Sequence, residues 1–251
     1  KGIKKLRAAG LQVDCDILKE DALLLNEGYI KRMTTGLPLV RSKLAMSLDG
    51  RTAMASGESK WITSAESRLD VQRLRAESSV VLTGINTVLA DNPGMNVRLD
   101  EEVSQPIRVV LDSNLQMPAM AKMIKLAGQT WVLTCSNEKQ KIAMLESAGC
   151  QVFQIKSNNG RLDLQAVMSF LGQKQINTVL VEAGAKLNGA LLEQKLVDQW
   201  LVYMAPCVLG DQGRGLFHLP FMQTMQDKKQ FTISSVRKVG ADLRLTLREK
   251  V

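Results

Sequence analysis

Histidine occurs once in the chain, as His218, and aromatic residues make up only 4% of it. One imidazole and scattered thiols give no basis for a structural zinc site, so no metal is expected. The four cysteines, Cys15, Cys135, Cys150 and Cys207, are far apart and follow no paired spacing. They read as buried free thiols of a reducing, cytoplasmic compartment. No apolar run is long enough to cross a bilayer, and no N-terminal stretch has the charged, apolar, small-residue order of a secretory signal. The few aromatics do not interleave with the basic residues, as a surface stacking nucleic-acid bases requires. Nucleic acid and membrane are therefore not expected partners. Internal repeats and low-complexity segments are also lacking.

What is present is ample material for one large core. The chain has 251 residues, 45% of them hydrophobic. Its formal charge is +8 and its pI about 9.4, with Lys and Arg spread along the sequence rather than clustered. Such a balance suits a solvated basic surface that welcomes phosphate-bearing small ligands.

Hydrophobic periodicity alternates between strands and helices. Strand-like runs fall at Leu39–Met46, Ser79–Thr83, Ile107–Asp112, Thr130–Cys135, Val152–Ile155 and Thr178–Val181. Between them, Leu164, Val167, Met168 and Leu171 share one helical face, as do Ile142, Leu145 and Ala148 in a helix that Gly149 stops. A further helix starts at Thr63 or Ser64, where a hydroxyl can cap it and Glu66 suits its first turn. Strands separated by helices imply a largely parallel sheet covered on both faces. Gln199–Ala205, Phe231–Val239 and Leu243–Arg248 instead alternate like antiparallel strands, the last two joined at Gly240-Ala241-Asp242. The fold class is α/β, a mixed sheet with an antiparallel edge.

Residues 1–36 read as a separate piece. A helix end at Lys4–Ala9 and a short strand at Leu11–Val13 precede one helix over Leu18–Met33, and Thr34–Pro38 forms a linker. One helix, strand and helix cannot bury a core alone.

Three segments have the residue types for chemistry. In Thr178–Ala190 a buried strand ends at Glu182, Gly184 follows, and a helix begins. Free N–H groups and the helix dipole at such a junction hold phosphate, and a glycine lets the backbone approach the anion. The spacing is not the Gly-x-Gly-x-x-Gly of a Rossmann turn, and an ordinary turn has the same residues. In the second segment, Lys43–Arg51 leads from a strand into a polar loop that continues through Gly57–Thr63. That loop is either a ligand site or a surface turn with Trp61 as a core anchor. In the third, Asp91-Asn92-Pro93-Gly94 is a turn signal, and Arg98 beyond it can grip an anion or stay solvated.

Taken in order, Ala45–Arg51, Ser59–Thr63, Arg75, Thr87–Arg98 and Glu182–Ala190 resemble the reductase domain of the bifunctional riboflavin-biosynthesis deaminase/reductase family, RibD. The likeness covers residues 37–251 and includes Leu196-Val-Asp198, Ala205-Pro206 and Gly213-Arg-Gly215. It implies a dihydrofolate-reductase-like fold: a mixed, mostly parallel sheet flanked by helices, with antiparallel C-terminal strands. Gly2-Ile3-x-x-Leu6-x-x-Ala9-Gly10 and Asn26-x-Gly28-Tyr29 resemble the tail of the family's deaminase domain, placing a boundary between residues 36 and 37. The deaminase's His-x-Glu and Pro-Cys-x-x-Cys motifs are not in this sequence, so the chain as given is not expected to deaminate, though an intact gene product can.

The resemblance implies NADPH-dependent reduction of 5-amino-6-(5-phosphoribosylamino)uracil, in a homodimer or higher homo-oligomer. The hydride acceptor is the ribosyl C1′ in its opened imine form. Residue by residue, it places Ala45, Trp61, Thr87, Asp91, Ser113, Gly184, Ala185, Lys186, Leu187, Asn188, Gly189 and Ala190 at NADPH. Ser59, Arg75, Met95, Arg98 and Glu182 fall at the substrate, Arg75 and Arg98 as holders of its phosphate. Asp91, between the two ligands, is the catalytic candidate, orienting the imine or handling its proton. Departures are few: Arg51 replaces a common Lys and is too basic to donate a proton, and Asn92, Met95 and Asn96 differ from the usual residues. A folate or pterin reductase of the same fold, and a ligand-binding module without turnover, remain open alternatives.

Overall fold

The computed structural model describes residues 1–250; Val251, the last residue of the expected reductase domain, lies outside the described residues. The helices are α1 (Gly2–Ala8), α2 (Lys19–Leu25), α3 (Glu27–Thr35), α4 (Ala65–Ala76), α5 (Ile85–Asp91), α6 (Lys139–Ser147), α7 (Leu164–Gln173) and α8 (Ala185–Glu193). The first strands are β1 (Leu39–Ser47), β2 (Arg51–Ala53), β3 (Val80–Gly84), β4 (Ile107–Leu111), β5 (Thr130–Thr134) and β6 (Cys150–Gln154). There follow β7 (Ser157–Asn158), β8 (Arg161–Leu162), β9 (Thr178–Glu182), β10 (Gln199–Ala205), β11 (Arg214–Gly215), β12 (Phe231–Val239) and β13 (Asp242–Glu249).

Among the described residues, nine strands form one sheet in the order β12-β13-β10-β1-β9-β3-β4-β5-β6. The pairs from β10 through β6 are parallel, and β13 pairs antiparallel with both β10 and β12. Side chains alternate across the sheet, so the continuous apolar runs bury both faces. Val80, Leu82, Val109, Val179 and Val181 face Val167, Met168 and Leu171 of α7 and Leu191 and Leu192 of α8. Val81, Val110 and Val132 point the other way, to Val88 of α5 and Leu145 of α6. Leu180, Leu201 and Tyr203 pack on that second face against Val71 and Leu74 of α4. Val80, Val81 and Leu82 are all fully buried, and each such side chain contributes roughly 1.5–3 kcal/mol.

Ser64 caps α4 as read, accepting from the Ser67 amide, and Asp163, not singled out from the sequence, accepts from Gln165 and Ala166 to start α7. Cys150 is buried, and burial pushes its thiol up to about 11. Cys15 is exposed, contrary to the expectation of buried thiols, because it lies in the N-terminal piece where nothing covers it among the described residues.

That piece differs from its reading. Leu11–Val13 is not a strand, having no neighbouring strand to pair with, and the single helix expected over Leu18–Met33 is broken at Asn26, φ −108°. The two halves behave differently. α1 and α2 bury no residue. α3 is seated on the starts of β9, β1 and β10: Lys31 bonds Asp198 at 2.6 Å and Arg32 bonds Asn177 at 2.6 Å. A Cβ on Gly28 would lie 2.6 Å from the Thr178 methyl, so glycine permits this approach. The helix α5 was not foreseen, since its seven residues give too little periodicity.

Candidate functional site

Parallel strands place their carboxyl ends, and the loops that follow, along one edge of the sheet, where α/β proteins take ligands. Here the adjacent strands β3 and β9 both turn directly into helices, α5 and α8, through Gly84 and Gly184 as N-caps. The two junctions touch: a Cβ on Gly84 would stand 3.6 Å from Leu187 Cδ2.

At the β9–α8 junction Gly184 is extended (φ −79°, ψ 175°) and exposed, and a Cβ there would meet nothing within 4 Å. The backbone amides of Gly184, Ala185, Lys186 and Leu187 donate no hydrogen bond among the described residues. With the helix dipole behind them, these donors form a surface for a phosphate or pyrophosphate. The expected cofactor stretch therefore divides. Gly184, Ala185 and Lys186 reach the surface, Leu187 and Ala190 pack partly on the core, and Asn188 and Gly189 are buried. Both polar atoms of the Asn188 side chain are engaged inside the protein, and the His218 carbonyl lies where a Cβ on Gly189 would go. Those two residues shape the helix rather than present a side chain to a cofactor.

One residue before this turn is a buried charge cluster. Arg75, projecting from α4, donates from Nε to Glu182 Oε1 at 2.6 Å and from Nη2 to Oε2 at 2.9 Å. Its Nη1 donates to the Asn96 carbonyl at 2.9 Å, tying the 91–98 loop to the same group. Lys43 stands opposite Glu182 in the β1–β9 register. Burial opposes the Glu182 charge, but Arg75 outweighs it, with Lys43 and Arg98 helping, and the carboxyl stays below the usual carboxylate range. The pair's stabilisation is therefore complete above that range and is lost as pH falls through the lowered value. Burial pulls the Lys43 ammonium below the usual lysine range, Glu182 opposes this, and Arg75 adds to it. Three cations around one carboxylate leave the region positive.

Lys43 was not singled out from the sequence. Its signal was there, a lysine inside an apolar strand two residues before Ala45, but only strand register shows that it faces Glu182.

The remaining candidates separate by exposure. Thr87 and Asp91 lie one helical turn apart on α5, and Asp91 is exposed at its end. Arg98 is exposed, with a contact from Nη1 to Asn96 Oδ1 at 3.2 Å. Met95 is 2% exposed and packs into the second-face core, with φ +51°. Its expected substrate contact cannot come from its side chain, which the core consumes. Ala45 packs near α4 at the end of β1, and the Ser113 hydroxyl accepts from the Leu162 amide at 3.1 Å. Ser59 and Trp61 sit in the exposed loop before α4, and neither hydrogen-bonds the Glu182 cluster among the described residues. Trp61 is 72% exposed, with the Arg68 guanidinium 4.6 Å from its ring, so it is no core anchor.

The family described as RibD C-terminal domain matches residues 38–245. The chain belongs to the RibD family. It is a reductase-domain member, in riboflavin biosynthesis. The riboflavin biosynthesis protein RibD of Escherichia coli K12 is 42% identical over 259 residues, covering 98% of this chain and 70% of that protein. The Haemophilus influenzae protein of the same name is 41% identical, covering 100% and 69%. Among solved structures, Acinetobacter baumannii RibD superposes with a TM-score of 0.89 at 39% identity, over 100% of this chain and 68% of that one. A Thermotoga maritima structure described as a diaminohydroxyphosphoribosylaminopyrimidine deaminase/5-amino-6-(5-phosphoribosylamino)uracil reductase gives 0.84 at 27%, over 100% and 67%. The family match begins at residue 38, so α3 is docked on the domain although it precedes the matched region. No helix among the described residues is long and apolar enough to cross a membrane.

Proposed function

We propose that this RibD-family chain reduces 5-amino-6-(5-phosphoribosylamino)uracil to its ribitylamino product with NADPH. The observation that carries the reading is adjacency: a single residue, Ala183, separates the ion-paired Glu182 from Gly184 and its row of unbonded amides. A substrate held at the first and a pyrophosphate held at the second would lie side by side. The residues fit the cofactor, since the backbone donors of Gly184 to Leu187 match an anion and the space over Gly184 is open. NADPH, when bound, supplies the hydride for the imine carbon.

The chain's own groups then bind, orient and move a proton. Glu182, held rigid by Arg75, accepts from substrate hydroxyl or amino groups, and Lys43 beside it donates. Arg98 grips the substrate phosphate, and Ser59 and Trp61 cover the site from the loop before α4. Thr87 and Ser113 complete the cofactor edge. Asp91 orients the reacting imine or delivers its proton. Hydride and proton together saturate one C=N bond, so no nucleophile is needed, in keeping with a site whose side chains are cations and carboxylates.

The test is loss of NADPH absorbance with the phosphoribosylaminouracil, with dihydrofolate, and with no substrate. Turnover on dihydrofolate alone, or none on any compound, would refute the reading. Asp91→Ala should lower kcat on the order of a hundred-fold with little change in KM, because an orienting group acts mainly in the transition state. Steady-state kinetics showing a rise in KM alone would make Asp91 a binding residue.

A further inference from the structure

The β9–α8 turn carries two carbonyls that no backbone group satisfies, and each is held by a buried side chain. Regular β3–β9 pairing ends at Leu82 and Val181. One residue further, Thr83 Oγ1 donates to the Glu182 carbonyl at 2.7 Å. Asn188 Nδ2 donates to the Ala183 carbonyl at 2.7 Å, and Asn188 Oδ1 accepts from Ser42 Oγ at 2.7 Å. Thr83, Asn188 and Ser42 are all 0% exposed. They come from β3, α8 and β1, so three elements converge on one turn.

A trans peptide is planar, with its C=O and N–H pointing opposite ways. Holding the Glu182 carbonyl toward β3 turns the Ala183 amide toward β1, in the Lys43–Glu182 register, and so fixes the peptide from which the turn departs. Holding the Ala183 carbonyl inward aims the Gly184 amide outward. That amide is the first of the four unbonded donors, Gly184 to Leu187.

We infer that Thr83, Asn188 and Ser42 are positioning residues that hold the peptide planes of the anion-binding turn before any ligand arrives. None touches the ligand; each removes a rotation that binding would otherwise have to freeze. The Ala183 carbonyl, which can only accept, fixes which way the Asn188 amide faces, and the Ser42 hydroxyl then donates to the amide oxygen. This inference rests on NADPH binding at the Gly184 turn.

The experiment compares NADPH affinity, by fluorescence titration, with thermal stability in Thr83→Val, Thr83→Ser, Asn188→Leu and Gly184→Val. Val167→Ala, a core truncation on α7, controls for general destabilisation. Thr83→Val and Asn188→Leu should each weaken NADPH about three- to ten-fold, the range one net hydrogen bond allows. Thr83→Ser keeps the hydroxyl and should stay within about two-fold of the parent. Val167→Ala should lower Tm without moving the affinity. If Gly184→Val weakens NADPH while Thr83→Val and Asn188→Leu do not, the positioning role is overturned and the cofactor site stands. If Gly184→Val leaves affinity intact as well, both fall. Should Asn188→Leu not fold, the Thr83 pair decides alone: equal affinities for valine and serine overturn the inference.

Discussion

Gly184→Val is expected to weaken NADPH on the order of a hundred-fold while moving Tm by no more than about 3 °C. The two halves of this result come from one geometry. Gly184 has φ −79° and ψ 175°, ordinary extended backbone, and a Cβ there meets no atom of the protein within 4 Å. Valine therefore fits the folded chain. Its loss of favour as a helix N-cap is offset by the smaller backbone entropy of the unfolded state. The space it fills is the space in front of the unbonded amides of Gly184 to Leu187. An anion forced off these donors loses several charge-assisted hydrogen bonds, each contributing about 1.5–3 kcal/mol. Fluorescence titration beside a melting curve checks both halves. Unchanged affinity would reduce the turn to a connection, and a collapsed Tm would make the glycine structural.

The second large effect separates two arginines that the sequence treats as equals. Arg98→Ala should weaken the phosphorylated substrate about ten- to a hundred-fold, spare the dephosphorylated analogue, and leave Tm unmoved. Arg98 is exposed and, among the described residues, its guanidinium bonds only the side chain of its near neighbour Asn96, so it is available to a phosphate. Arg75→Ala should behave otherwise. Three of its N–H groups are already engaged, two with Glu182 and one with the Asn96 carbonyl. Removing it leaves the part-buried Glu182 carboxylate without its bidentate partner, a loss that costs up to about 3–5 kcal/mol for a buried pair, or roughly 6–20 °C in Tm, with Lys43 and Arg98 offsetting part of it. Both substrates should then bind worse, because Glu182 and the 91–98 loop lose their common anchor. The double variant should be non-additive, since both guanidinium groups act on the same carboxylate. Equal losses on the two compounds in Arg98→Ala would remove the phosphate role from Arg98. A selective loss in Arg75→Ala with unchanged Tm would return that role to Arg75.

Local patterns anticipated most of the framework, for a simple reason. The central parallel strands are buried on both faces, so they appear as short Val-rich runs with little ambiguity: Thr178–Glu182 and Ile107–Leu111 fall within a residue of their expected ends. Gln199–Ala205 has its expected ends too, but it was read as antiparallel and instead lies parallel to β1, antiparallel only to β13. The Ser64 cap was equally visible, because its hydroxyl acts within three residues of itself. The misreadings came where stability is not local. Seven-residue α5 has one buried residue, Val88, and no periodicity to reveal it. Helix propensity runs on through Asn26, but α3 turns there to seat Gly28 and Lys31 on the sheet.

The sequence by itself determined the α/β class, the strand order along the chain, the glycine at a strand-to-helix junction and, through motifs taken in order, the family. All of these depend on residues near one another in the chain. The tertiary structure alone decided which candidates can do what was expected of them. It paired Arg75 with Glu182 from 107 residues away, set Lys43 opposite in register, and turned Met95 and Asn188 into the interior. A side chain's type is written in the sequence. Whether its charge is free, paired or buried depends on neighbours brought close by packing, and no local pattern encodes those.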